Sequence, residues 1–130
     1  MHAHEEATIR AFIDSRRQGR WLEALGSLKR RRTFLQRLNH CPDIDPRFST
    51  PLPSNCDVFA ALQNRGAPAT CYIISDTAEI DGIELPLREA LDQTEFAGWG
   101  TLISCVPGRL AFFYDEAGTR RRLVLERPAP

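Results

Sequence analysis

The chain lacks any long apolar segment, and its purely apolar stretches are only a few residues long. A helix that crosses a bilayer needs roughly 20 consecutive apolar residues, so no membrane partner is expected. The first residues are acidic and polar, whereas a secretory signal begins with positive charge followed by an apolar segment. These absences predict a cytoplasmic protein.

Paired cysteines are also lacking. The four cysteines, Cys41, Cys56, Cys71 and Cys105, are scattered without a CxxC pair, which favours reduced and mostly buried thiols over a zinc site or a disulfide framework. No GxxxxGK[ST] loop is present, and no group of residues has the spacing of an established metal motif. We therefore predict no cofactor and no metal site.

The 130 residues, 42% apolar and 26% charged, are typical of one globular domain, which we expect to span residues 1–130. The predicted class is α+β. Three or four helices, within about 5–65, should pack on a mostly antiparallel sheet built from about 70–127, with a three-stranded meander at the C-terminal end.

Two features of the helical portion carry specific expectations. A helix after Ser27 should present one apolar face that includes Leu28, Phe34, Leu35 and Leu38. Residues 41–55 contain four prolines and are predicted to form a long connector, which is the first place to look for a site.

The strand-rich portion contains one nearly all-apolar segment at 70–75, which predicts a central strand covered on both faces. Asp81 and Gly82 predict a tight hairpin between strands at 78–80 and 83–85. The meander strands are expected at 101–106, 110–114 and 121–126. The last one alternates polar and apolar residues, so we expect it at a sheet edge, where it could pair with a second copy.

Charge is unevenly distributed although the net charge is zero. Residues 1–65 carry eleven basic and seven acidic residues, whereas residues 66–130 carry six and ten. The densest basic stretch is 16–37, and its positive side chains are the candidate polyanion-binding residues: Arg16, Arg17, Arg20, Lys29, Arg30, Arg31, Arg32 and Arg37.

The first hypothesis is a non-catalytic binding or regulatory module that binds a protein partner, or a polyanion such as nucleic acid, through this surface. The alternative for the stretch itself is a solvated helix surface in an arginine-rich proteome, since Lys29 is the only lysine.

The densest reactive cluster lies in the proline-rich connector. It combines an imidazole, a thiol, two carboxylates and a guanidinium: His40, Cys41, Asp43, Asp45 and Arg47. A second hypothesis is therefore a small hydrolase or nuclease-like enzyme that uses His40, Asp43, Asp45 and Arg47 as catalytic residues, with a divalent cation as its cofactor. Cys41 is a further candidate, as a nucleophile. Against this, carboxylates in such a loop often bind backbone donors and each other. The sequence leans toward a non-enzyme with an unidentified protein partner or a homodimer.

Overall fold

The computed structural model describes residues 2–115 and 122–128, and the α+β prediction is confirmed within them. The helices are α1 (Ala3–Phe12), α2 (Gln18–Leu25), α3 (Leu28–Leu35), α4 (Val58–Asn64) and α5 (Leu87–Ala97), with single 3₁₀ turns at Gln36–Leu38 and Pro46–Phe48. The strands are β1 (Ser49–Pro51), β2 (Thr70–Ser75), β3 (Glu84–Pro86), β4 (Thr101–Val106), β5 (Leu110–Tyr114) and β6 (Arg122–Glu126). Arg121, the expected first residue of the last strand, lies outside the described residues.

The six strands form one antiparallel sheet in the order β1-β6-β5-β4-β2-β3. The expected edge position of the last strand is wrong, because β6 lies between β1 and β5. The connector at 41–55 supplies that neighbour, since it contains β1 and a bridge from Ile44 to Ile13. In this arrangement β6 has a neighbouring strand on each side. The actual edge strands have three residues each and contain Pro51 and Pro86, which donate no ladder hydrogen bond.

Helices cover both faces of the sheet. The helices α1, α2 and α3 form one apolar core with sheet residues such as Tyr72, Ile74 and Leu102, while α4 and α5 form a second core with residues such as Ile73 and Ile103. Because consecutive residues of a strand face opposite sides, an apolar run such as that of β2 supplies both cores. The expectation of a central strand buried on both faces is confirmed.

The hairpin differs from the prediction. Residues 78–80 form a turn rather than a strand, and β2 pairs directly with β3 across the connection 76–83. Gly82 has a φ of +76° and donates its N–H to the Ile73 carbonyl at 2.8 Å. The carboxylate of Asp81 accepts from the Ser75 N–H at 3.0 Å and also binds Arg31. The turn therefore forms at Asp81 and Gly82 as expected. The strand predicted at 78–80 is absent, and hydrogen bonds from the turn to β2 and Arg31 take its place.

Leu28 is also placed differently from the prediction, since it is 96% exposed. It lies at the first position of α3, one turn before Arg31 and Arg32. Those two arginines contact polar groups, the Asp81 carboxylate and the Ser75 carbonyl, so the apolar core ends before it reaches Leu28. Phe34, Leu35 and Leu38 are buried as expected.

Candidate functional site

The helices α2 and α3 carry positive side chains at ends that already have positive partial charge. Free N–H groups make a helix N-terminus favourable for anions, and free carbonyl groups make its C-terminus favourable for cations. Helix α1 follows this rule, with acidic residues in its first turn and Arg10 in its last. Neither α2 nor α3 has an acidic residue in its first turn. Arg17 and Arg20 begin α2 instead, and Lys29 and Arg30 begin α3.

Of these cations, Arg20, Lys29 and Arg30 border a groove of about 760 Å³ between the two helices. Ala24 and Phe34 in its lining are buried, and polar and positive side chains form the rest of its wall. Glu23 is the only acidic residue of the lining, and it accepts a 2.8 Å ion pair from Arg30. The complete lining is Arg20, Glu23, Ala24, Ser27, Lys29, Arg30, Thr33, Phe34 and Arg37.

A second depression of about 340 Å³ shares Arg37 with the first. Its lining consists of Arg17, Arg37, Asn39, His40, Pro42 and Asp43. The Arg37 guanidinium lies 5.4 Å from the centroid of the Phe34 ring, a cation–π contact that orients it where the two depressions meet. We call these two depressions, with Arg17, Arg20, Lys29, Arg30 and Arg37 around them, the basic groove.

Most of the charge in the basic groove is not neutralised. Within residues 2–115 and 122–128, Arg17, Arg20, Lys29 and Arg37 form no ion pair, whereas Arg30 pairs with Glu23. The acidic groups near the second depression are engaged by uncharged donors. Asp43 accepts from the Trp21 indole N–H at 2.9 Å. The groove therefore presents four unpaired cations, and its net charge is positive.

The remaining basic residues of 16–37 lie elsewhere. Arg16 binds the Asp14 carboxylate at 3.3 Å, and hydrogen bonds from Arg16 lower the pKa of Asp14. Arg32 donates to the Ser75 carbonyl at 2.7 Å. Arg31 is largely buried, with only 16% of its side chain exposed. The structure thus separates the predicted polyanion-binding set into five residues at the groove and three outside it.

Arg31 is the centre of a buried ionic network. It binds Glu5 at 2.8 Å and Asp81 at 2.7 Å, and Glu5 also accepts a hydrogen bond from the Tyr72 hydroxyl. Hydrogen bonding to Asp81 and then to Glu5 raises the pKa of Arg31. Burial, followed by the bond to Glu5, raises the pKa of Tyr72. The network joins α1, α3, β2 and the turn before β3, so its role is to fix the helices on the sheet.

The connector cluster is only partly brought together. His40 and Asp43 line the second depression, but Asp45 and Arg47 do not. Asp45 caps the 3₁₀ turn that follows it and binds Arg47 at 2.7 Å, and this bonding lowers the pKa of Asp45. Cys41 is buried, with 2% of its surface exposed. The four side chains of the hydrolase hypothesis therefore do not share one pocket.

The other cysteines lie outside this cluster, and Cys71 and Cys105 are neighbours on the adjacent strands β2 and β4. Cys71 and Cys105 are buried in strands, and burial raises the pKa of each thiol to about 12. In the part of the chain that the structure describes, no group of three or more His, Cys, Asp or Glu side chains could hold a metal ion. Among the same residues, no helix has both the length and the apolar character needed to cross a membrane.

One feature of the site could be inferred from the sequence and another could not. Ser27 predicts the start of α3, so the positive first turn of that helix can be inferred from the sequence together with the rule on helix termini. The inward orientation of Arg31 and Arg32 depends on residues 75–81, which are distant in sequence.

Comparison of the chain with known protein families, with curated proteins and with solved structures found no match.

Proposed function

We propose that the protein is a binding module that takes up a polyanionic partner along the basic groove. The observation that carries the proposal is the placement of cations in the first turns of both α2 and α3 without any acidic residue there. A cation at this position is unfavourable for the helix, since it repels the partial positive charge of the N–H groups. A bound anion relieves that repulsion and also binds the free N–H groups.

The two positive helix starts lie at two depressions that share Arg37. Lys29 and Arg30 belong to the part between α2 and α3, and Arg17 belongs to the second depression. Each of the two helices has eight residues and is about 12 Å long. Anionic groups that reach the starts of both helices must therefore belong to an extended molecule. This geometry favours a polyanion over a single small anion.

Fluorescence anisotropy of labelled polyanions tests the proposal. Labelled oligothymidylate and labelled oligoglutamate are titrated with the protein at several salt concentrations. We expect at least one of them to bind, with an affinity that falls linearly on logarithmic axes as salt rises. If all five cations contact a single strand, the slope should be about −3.5.

Two triple variants with the same change in charge supply the control. Arg20→Gln, Lys29→Gln and Arg37→Gln together should weaken binding at least tenfold and reduce the slope by about 2. Arg65→Gln, Arg88→Gln and Arg109→Gln together remove the same charge outside the groove and should leave binding nearly unchanged. Equal losses in both variants, or no binding at low salt, would contradict the proposal.

A further inference from the structure

A partly exposed aromatic residue, Trp99, is the sequence neighbour of a glycine that contacts the lining of the basic groove. Trp99 is 49% exposed and directly precedes Gly100. The Gly100 N–H donates to the Asn39 side-chain oxygen at 2.7 Å, and Asn39 lines the second depression. The backbone next to an aromatic residue about 60 positions away in sequence therefore contacts a residue that lines the second depression.

The backbone on both sides of Trp99 is held in place. A Cβ atom at Gly100 would lie only 2.5 Å from the Leu38 carbonyl carbon, so the two backbones are in direct contact. Gly98 has a φ of +75° and ends α5, as a left-handed residue commonly does after a helix. Phe96, in the last turn of the same helix, is 94% exposed. The aromatic rings thus stand on a rigid support rather than on a long loop.

We propose that the polyanion is single-stranded nucleic acid, with its phosphates along the basic groove and one base stacked on Trp99. This inference rests on the proposed function. Proteins that bind single strands combine a positive groove for the backbone with aromatic rings for the bases, and both are present here. A duplex does not offer a free base face, and an acidic peptide such as oligoglutamate has charge without rings. Stacking on Trp99 therefore distinguishes a single strand from a duplex and from an acidic peptide.

Two nearby carboxylates are held by hydrogen bonds from neutral donors, which fix their positions but do not cancel their charge. Asp76 accepts a 2.6 Å hydrogen bond from Asn39, and Asp43 accepts one from Trp21. Arg17 and Arg37 of the same depression remain available for phosphates, since neither forms an ion pair in the described part of the chain. Arginine is well suited to this role because its planar group can bind two phosphate oxygens at once.

Three probes of equal charge test the inference on the intact protein: oligothymidylate, an abasic oligonucleotide of the same length, and oligoglutamate. We expect oligothymidylate to bind more tightly than the abasic strand by roughly 5- to 150-fold, the range for stacking of one base. Trp99→Leu should remove that preference but retain salt-dependent binding of the abasic strand, which also shows that the variant folds. Ile83→Ala, at an exposed apolar residue outside the groove lining, should keep the preference.

Intrinsic fluorescence provides a second readout. Trp21 is buried and Trp99 is half exposed, so stacking should quench Trp99 with oligothymidylate and much less with the abasic strand. Equal affinity for both strands in the unmodified protein, or tighter binding of oligoglutamate, would overturn the inference and leave the proposed function standing. Binding of none of the three probes at low salt would overturn both.

Discussion

Replacing Lys29 by glutamate should stabilise the fold while weakening anion binding. Lys29 is the second residue of α3, whose first turn has no acidic side chain. Removing a cation from such a position and adding an anion each contribute about 0.3–1 kcal/mol. Arg32, three residues later, then gains an opposite charge worth about 0.2–0.5 kcal/mol. The expected gain in the free energy of unfolding is therefore about 1–2 kcal/mol, or roughly 4 °C in Tm for each kcal/mol.

Urea denaturation at low ionic strength, followed by circular dichroism, measures this change without adding salt. The matched controls are Lys29→Gln and Arg10→Gln, which remove the same charge from opposite ends of two helices. Lys29→Gln should stabilise, whereas Arg10→Gln should destabilise, because Arg10 lies in the last turn of α1 and pairs with Glu6 at 3.0 Å. In about 1 M salt the Debye length falls to about 3 Å, so these differences should largely disappear.

The reasoning is refuted if Lys29→Glu lowers the free energy of unfolding at low salt. It is also refuted if the gain persists unchanged in high salt, because the cause is then not electrostatic. Lysine and glutamate have similar intrinsic helix propensities, so propensity alone should not produce a gain of this size.

Three further predictions concern the core. Arg31→Met should destabilise by about 3–5 kcal/mol in urea denaturation, because it leaves two buried carboxylates without their cation; a loss below 1 kcal/mol would contradict the role of the network. Gly100→Ala should destabilise the protein by about 1–3 kcal/mol, because the added methyl group meets the backbone at 38–39. The control Gly19→Ala meets nothing within 4 Å and should stabilise by about 0.5–1 kcal/mol. Equal effects of the two variants would refute the close approach of the backbones at Gly100. Since burial raises the pKa of Cys71 and Cys105 to about 12, the unfolded chain loses these protons first, so stability should fall as pH rises from about 9 toward 12. Mass spectrometry after alkylation near pH 8 should find both thiols protected in the folded protein, and labelling as fast as in urea would contradict this.

Much of the fold can be predicted from local patterns. The ranges 70–75, 101–106 and 110–114 agree with β2, β4 and β5, because apolar runs bounded by Gly, Pro and polar residues carry that information locally. Strand β1 has no comparable pattern. Its three residues, Ser49–Pro51, become a strand only because β6 offers them an unpaired edge.

The candidate site depends more on distant contacts. The sequence predicts a basic surface, but not that Arg31 turns inward to Asp81 while Lys29 stays at the groove. It also separates Trp99 from the basic stretch by about 60 residues, so their proximity follows only from the contact of Gly100 with Asn39. Helix periodicity determines which residues share a face, whereas the neighbours of that face are determined by the tertiary fold.

Amide chemical shifts during titration with oligothymidylate test the central claim most directly, because they report the location of binding together with its strength. We predict that the largest shifts occur at 17–20, 27–30 and 37–40, together with the Trp99 indole N–H. Shifts concentrated on the opposite face of the sheet, around Arg88 and the pocket it lines with Phe59, would contradict the account. So would the absence of any shift at low salt.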